Sequence, residues 1–87
     1  MLSLERMQIE IKGTVVWRHE AYPDCEKCEQ GIDLLMERGI RFATVVCDKK
    51  MFGALMAETK SQNVPQFHVN GEYVGGLDNL ITHLDKM

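Results

Sequence analysis

The sequence predicts an α/β fold in which three helices flank a four-stranded mixed sheet, in the order β-α-β-α-β-β-α. Three observations support this prediction. Strand-like and helix-like runs alternate along the first two thirds of the chain, as in βαβ units. The pair Asn70-Gly71 separates two short apolar runs, which is a strong signal for an antiparallel hairpin. An amphipathic segment then closes the chain, as expected of a helix packed on the sheet.

The first half of the chain reads as strand, helix, strand. Residues 14–17 are β-branched and aromatic, which favours a strand. A helix is predicted from about residue 25 to residue 38, because apolar side chains recur at helical spacing: Cys28, Ile32 and Leu35. Residues 42–47 are nearly continuous in apolar character, which predicts a central strand covered on both faces. A right-handed crossover would make these two strands parallel.

The second half reads as helix, hairpin, helix. Asp48 can cap a helix whose buried stripe would be Phe52, Leu55 and Met56. Residues 66–69 and 73–74 are the predicted hairpin strands. The closing helix has its apolar side chains at i, i+3, i+4 and i+7: Leu77, Leu80, Ile81 and Leu84. We expect the methionines at core-like spacing to pack inside: Met36, Met51 and Met56.

Length and charge narrow the functional classes. The 87 residues suit one domain, predicted over residues 13–87, with residues 1–12 as a leader or a short extra strand. The net charge of −3 gives no general attraction to nucleic acid or anionic membranes. No apolar run is long enough to cross a bilayer, and the first residues lack a secretory pattern. Three cysteines would leave one unpaired in a disulfide framework, so we expect a cytoplasmic protein.

The chemically informative motif is Cys25-Glu26-Lys27-Cys28, between a strand-like and a helix-like run. A thiol in the first helical turn faces unpaired backbone N–H groups and the positive end of the helix dipole, which favour thiolate. Cys28, one turn later, could displace whatever Cys25 has captured. A C-x-x-C motif beside a βαβ pattern is typical of a thioredoxin-like redox site. Half of a metal site and a structural disulfide remain the alternatives at this point.

Two further motifs have their own physical logic. Val64-Pro65 precedes a strand, where proline lacks a backbone donor and X-Pro is the usual place for a cis peptide bond. Gly75-Gly76-Leu77-Asp78 opens the last helix, where free N–H groups suit a carboxylate and Asp78 could accept hydrogen bonds from an ammonium group. Each also has a plain interpretation: a proline at a strand entrance, and a loop followed by a favourable first-turn charge.

Together the three motifs resemble those of a small glutaredoxin of the thioredoxin-fold superfamily, of the phage or bacterial dithiol type. The resemblance covers roughly residues 14–86, and the Gly-Gly-Leu-Asp motif favours glutaredoxins over thioredoxins. It implies that the Val64-Pro65 bond is cis and lies beside Cys25. The backbone of Val64 would then bind an extended peptide. It also implies glutathione as cosubstrate, bound by residues of all three motifs: Lys27, Val64, Pro65, Gly75, Gly76, Leu77 and Asp78.

The sequence departs from that family near the first cysteine. The common C-P-Y-C has become C-E-K-C, and Tyr22 stands where a basic residue is usual. Asp24, Glu26 and Glu29 add negative charge around Cys25, which should oppose thiolate formation. Lys27 offsets part of this charge and is a candidate for binding the glycine carboxylate of glutathione. Other basic candidates for that role are Arg18, His19 and Lys60.

The resemblance predicts a glutathione-dependent oxidoreductase that reduces protein disulfides and glutathione mixed disulfides. Cys25 would be the nucleophile and Cys28 the resolving thiol, with no metal. The protein would be a monomer whose partners are glutathione and disulfide-containing or glutathionylated proteins, ribonucleotide reductase among the candidates.

Two alternatives remain: a thioredoxin-like donor reduced by a flavoprotein reductase, and a glutathione-assisted [2Fe–2S] dimer. A zinc module is disfavoured, because there is one cysteine pair and His68 and His83 lack ligand spacing to it. Cys47 is interpreted as a buried small hydrophobe.

Overall fold

A computed structural model of the protein describes residues 13–87, so the prediction made for residues 1–12 lies outside the described part. The predicted order of elements is confirmed. The strands and helices are β1 Thr14–His19, α1 Glu26–Glu37, β2 Phe42–Cys47, α2 Lys49–Thr59, β3 Gln66–Val69, β4 Glu72–Gly75 and α3 Leu77–Asp85. No helix within residues 13–87 has the length and apolar character needed to cross a membrane.

The four strands form one mixed sheet in the order β2-β1-β3-β4. β1 and β2 are parallel, from Thr14 opposite Phe42 to His19 opposite Cys47, as the predicted crossover requires. β3 is antiparallel to both β1 and β4. The β3–β4 hairpin turns at Asn70 and Gly71, whose φ angles of 52° and 83° are the positive values that favour Asn-Gly in such a turn.

The core consists of two apolar layers, one on each face of the sheet. On one face, α2 packs on β1 and β2 through a cluster of buried side chains: Val15, Trp17, Cys47, Phe52 and Leu55. On the other, α1 and α3 pack through a second cluster: Val16, Leu35, Phe67, Val69, Leu80 and Leu84. Residues 15, 16 and 17 therefore point alternately to opposite faces, as the period of a strand demands.

Three expectations about burial were wrong. Among the described residues β2 lies at an edge of the sheet, not at its centre, and it is not covered on both faces: Val46 is 60% exposed. On one face of β2, Val45 and Cys47 pack beneath α2. Met36 is 64% exposed, although it fits the spacing of the apolar stripe of α1. Ile81 of α3 is 41% exposed. Met51 and Met56 do pack against the core, as predicted.

A close contact joins α1 to the sheet behind the C-x-x-C motif. A Cβ atom added to Gly31 would lie 2.6 Å from Cε1 of Phe67, well inside van der Waals contact. Gly31 is buried and sits one turn after Cys28. The missing side chain therefore lets the Phe67 ring pack directly against the helix backbone.

Two titratable side chains, His68 and Cys47, are buried in the core layer beneath α2, and the hydrogen bond of His68 to Trp17 was not predicted. Trp17 donates from Nε1 to Nδ1 of His68 at 2.8 Å, and both side chains are buried. Burial lowers the pKa of His68 below its ordinary value of 6.5. Cys47 is a buried free thiol, and burial, with a smaller effect from the Asp48 carboxylate, raises its pKa to about 11. This agrees with its interpretation as a small hydrophobe.

Candidate active site

Cys25 and Cys28 form a disulfide at the N-terminus of α1, with Cα atoms 5.2 Å apart. Cys25 is the N-cap residue, and its sulfur accepts a hydrogen bond from the backbone N–H of Cys28 at 3.1 Å. Cys25 is half-buried, whereas Cys28 is fully buried. The local sequence thus places one sulfur at the positive end of the helix, where an incoming thiol or disulfide can reach it.

The acidic residues around Cys25 do not act alike. Asp24 and Glu26 are exposed at the start of the helix. Glu29 forms an ion pair with Arg18, with Oε1 and Nη1 3.2 Å apart. Arg18 also donates from Nη2 to the carbonyl oxygen of Pro23 at 3.3 Å, so it links β1 both to the loop and to α1. The charge of Glu29 is therefore partly balanced, and Asp24 and Glu26 are the stronger candidates for opposing thiolate formation.

The Val64-Pro65 peptide bond is cis, as expected. Val64 and Cys25 line the same open groove of about 580 Å³. The other residues that line it come from the loop before α1 and from the loop after α2: Ala21, Tyr22, Pro23, Asp24, Lys27, Gln62 and Asn63. An extended chain lying in this groove would contact the backbone of Val64 and the sulfur of Cys25 together.

Gly75 and Gly76 shape the entry to α3. Gly75 has a φ of +121°, which a side chain rarely permits, and a Cβ atom added to it would clash with Nδ2 of Asn79. Gly76 is the N-cap, and no side chain caps the helix. The first N–H groups of α3, those of Leu77 and Asp78, therefore have no partner within their own helix. Asp78 is exposed beside them.

A smaller groove of about 150 Å³ lies at this helix end. It is lined by Lys27, Asn63, Val64, Pro65, Gly76, Leu77, Asp78 and Asn79. Lys27, Asn63 and Val64 line both grooves, so the two adjoin at these residues. Most of the predicted site residues thus meet in one place. Gly75 is buried next to this groove, and Cys28 is buried behind Cys25.

Of the basic residues predicted to bind a carboxylate, Lys27 alone lines the smaller groove among the described residues. Arg18 is engaged with Glu29 and Pro23. The His19 ring packs 5.1 Å from the Phe52 ring, centroid to centroid, and its Nδ1 accepts from the backbone N–H of Ala21. Lys60 ends α2 in a left-handed conformation and lines neither groove.

Sequence reasoning gave Asn63 no role in the site, although it belongs to the motif Asn63-Val64-Pro65, and it missed Asn79. Asn63 lines both grooves, and its Nδ2 would lie 3.0 Å from a Cβ atom added to Gly76. Asn79 occupies the equivalent space beside Gly75. An asparagine in a loop or first helical turn is ordinarily a local hydrogen-bonding residue, so its type alone gave no signal.

In the part of the chain that the structure describes, no cluster of three or more His, Cys, Asp or Glu side chains is arranged for a metal ion.

A redox dithiol whose first sulfur caps a helix, set in this fold, defines a thiol–disulfide oxidoreductase. The chain belongs to the glutaredoxin family, because the family model described as Glutaredoxin matches residues 8–74.

The comparisons with individual proteins agree with that family. A curated relative from Synechocystis, described as an uncharacterized monothiol glutaredoxin ycf64-like, is 28% identical over 83 residues, which are 93% of this chain and 73% of the relative. Wheat glutaredoxin has a TM-score of 0.78 at 23% identity, covering 99% of this chain and 84% of that one. The buckwheat glutaredoxin–glutathione complex has a TM-score of 0.76 at 23% identity, covering 97% and 81%. These structures establish the thioredoxin-like fold.

Proposed function

We propose that the protein is a glutathione-dependent oxidoreductase that reduces protein disulfides and glutathione mixed disulfides. The observation that carries this proposal is that the groove lined by Cys25 adjoins, at Lys27, Asn63 and Val64, the smaller groove at the uncapped N-terminus of α3. A tripeptide thiol such as glutathione could place its sulfur in the larger groove and the carboxylate and ammonium groups of its γ-glutamyl residue in the smaller one. The similar fold of the buckwheat protein, whose structure is a complex with glutathione, supports the same ligand here.

Each part of glutathione has a chemically suitable partner along the groove. The N–H groups of Leu77 and Asp78 bind the γ-glutamyl carboxylate, and the Asp78 carboxylate binds the neighbouring ammonium group. The backbone of Val64 pairs with the cysteinyl segment as one added strand residue. Lys27 binds the glycine carboxylate, since it is the basic residue of the described chain that lines the groove. Pro65, Gly75 and Gly76 shape the surface against which the ligand packs.

The reaction is thiol–disulfide exchange in balanced steps. The Cys25 thiolate attacks a substrate disulfide, forms a mixed disulfide and releases one substrate thiolate. The Cys28 thiolate then attacks the Cys25 sulfur, releasing the second substrate thiolate and leaving the Cys25–Cys28 disulfide. One glutathione thiolate opens that disulfide to give Cys25–glutathione and the Cys28 thiolate. A second glutathione regenerates the Cys25 thiolate and leaves as glutathione disulfide.

The proposed setting is the cytoplasm, with the protein acting as a monomer. Its partners would be glutathione and proteins that carry disulfides or bound glutathione, with ribonucleotide reductase a candidate. The net charge of −3 supports partners other than nucleic acid or anionic lipid. Glutathione is a cosubstrate in this proposal, and no metal takes part.

Changing Asp78 to asparagine tests the proposed ligand most selectively. Asp78→Asn keeps the size of the side chain and removes its charge, so the KM for glutathione should rise about ten- to hundredfold. Alkylation of reduced Cys25 by iodoacetamide should stay unchanged, because α1 is untouched. Asp85→Asn, at the far end of the same helix, is the matched control and should leave the KM unchanged. An unchanged KM in Asp78→Asn would refute this binding mode.

The reductant itself is tested by comparing two electron donors in steady state. The wild-type protein should turn over with glutathione, glutathione reductase and NADPH. It should turn over at least tenfold more slowly with thioredoxin reductase and NADPH. The opposite ranking would identify a thioredoxin-like donor instead.

A further inference from the structure

We propose that Gln66 is a positioning residue for the glutathione groove, because its buried side chain fixes the loop of residues 60–65 that carries Val64. This inference rests on the proposed function and adds a residue that lines neither groove. Gln66 is the first residue of β3 and directly follows the Val64-Pro65 bond. It would act on the ligand only through the backbone that it holds.

The Gln66 carboxamide joins three separate parts of the fold. Gln66 is 0% exposed. Its Oε1 lies 2.9 Å from the Thr59 hydroxyl at the end of α2 and accepts from the Tyr73 hydroxyl of β4 at 3.2 Å. Its Nε2 donates to the backbone carbonyl of Ser61 at 2.9 Å. A buried amide is costly without partners, so these contacts hold the loop end against the sheet.

A second set of hydrogen bonds carries this anchoring to the groove. The Ser61 hydroxyl accepts from the backbone N–H of Asn63 at 3.3 Å and from its Nδ2 at 2.9 Å. Asn63 and Val64 line both grooves. The Asn63 amide also lies against Gly76, where an added Cβ would meet Nδ2 at 3.0 Å. An unbroken series of contacts therefore runs from Gln66 to both walls of the smaller groove.

A packing role and a positioning role make different predictions for Gln66. If the residue only fills space, an apolar side chain of similar length should replace it without effect on the site. If its hydrogen bond to Ser61 places the loop, the same replacement should free the loop while the core stays filled. The Cys25 sulfur depends on α1 and not on this loop, so its intrinsic reactivity should be unaffected in either case.

The test compares Gln66→Met with Tyr73→Phe as the matched control. Tyr73→Phe removes one hydrogen bond from the same carboxamide without touching its bond to Ser61. We expect Gln66→Met to raise the KM for glutathione roughly five- to tenfold, the usual effect of one lost hydrogen bond. Its kcat and its Cys25 alkylation rate should stay within about twofold of wild type, and Tyr73→Phe should match wild type. An unchanged KM in Gln66→Met, with native circular dichroism, would overturn the proposal.

Ser61→Ala decides the matter if Gln66→Met fails to fold. This half-buried loop residue can lose its hydroxyl without opening the core, and the KM for glutathione should rise roughly two- to fivefold, the effect of losing a weaker hydrogen bond. If both single variants fold, the KM rise in the double variant Gln66→Met/Ser61→Ala should be smaller than the product of the two single rises, because both substitutions act through one loop. A Ser61→Ala variant with wild-type KM would also overturn the proposal. Wild-type protein without glutathione turnover would refute the proposed function itself, and this inference with it.

Discussion

At the scale of single residues, the site depends on what surrounds the Cys25 sulfur. The backbone N–H of Cys28 and the N-terminus of α1 favour negative charge there, whereas Asp24 and Glu26 oppose it. Glu29 is held by Arg18 and contributes less than its position in the sequence suggests. The balance between a fixed helix end and exposed carboxylates should therefore set how readily Cys25 reacts.

Removing the exposed negative charge should make Cys25 react faster. Glu26→Gln and Asp24→Asn should each increase the rate of iodoacetamide alkylation of the reduced protein at mildly acid pH. The increase should shrink as salt is added, since these charges are exposed to solvent. Glu37→Gln, at the far end of α1, is the control and should change nothing. Identical alkylation rates in all four proteins would mean that the helix end and local hydrogen bonds dominate.

The buried pair Trp17–His68 should make stability depend on pH. Burial lowers the pKa of His68 in the folded protein below its ordinary value of 6.5, and its Nδ1 must stay unprotonated to accept from Trp17. The unfolded chain takes up this proton more readily, so the contribution of neutral His68 is present above pH 6.5 and is lost as the pH falls below it. Urea unfolding across this range should show a steeper loss of stability in the wild type than in His68→Gln. Parallel curves would contradict the assignment.

At the scale of elements, the contact between α1 and β3 depends on one missing side chain. Gly31 lies where a Cβ would come within 2.6 Å of the Phe67 ring. Helix propensity alone favours alanine over glycine by about 1 kcal/mol. Overpacking a core generally costs about 1–3 kcal/mol, so the steric effect should outweigh the propensity.

The chain supplies a matched pair of glycines for testing this contact. Gly31→Ala should lower the free energy of unfolding, whereas Gly53→Ala in α2 should raise it by about 0.5–1 kcal/mol. A Cβ at Gly53 would meet no atom within 4 Å. Both values are measured by urea unfolding of the oxidised proteins. Stabilisation by both substitutions would show that Phe67 moves aside without cost.

At the scale of the whole molecule, the sequence predicted every element of residues 13–87 and their order. Periodicity and Asn70-Gly71 were sufficient for this, because they report local conformation directly. The edge position of β2 could not be predicted from its apolar run. The sequence of a strand does not show which other strands will pair with it. Met36 fits the spacing of the α1 stripe, yet no described element covers it. Exposure of this kind is decided by tertiary packing.

The residues of the candidate site were also predicted only in part. Residues with unusual chemistry or conformation could be recognised from the sequence: the cysteines, Val64-Pro65 and the paired glycines. Asn63 and Gln66 could not be assigned a role in this way, because the hydrogen bonds that they make, such as that of Gln66 with Tyr73, are visible only in the folded protein. Lys27 was identified among several basic residues, and its place between the grooves distinguishes it from the others.

The measurement that tests the central claim most directly compares wild type, Cys25→Ser and Cys28→Ser on two substrates with glutathione as reductant. One substrate is a small glutathione mixed disulfide, and the other is a protein disulfide. Cys25→Ser should be inactive on both, since it lacks the accessible sulfur at the helix end. Cys28→Ser should still turn over the mixed disulfide, because a second glutathione can replace the resolving thiol, and should lose protein-disulfide reduction. Equal loss in both variants on the mixed disulfide would contradict the account.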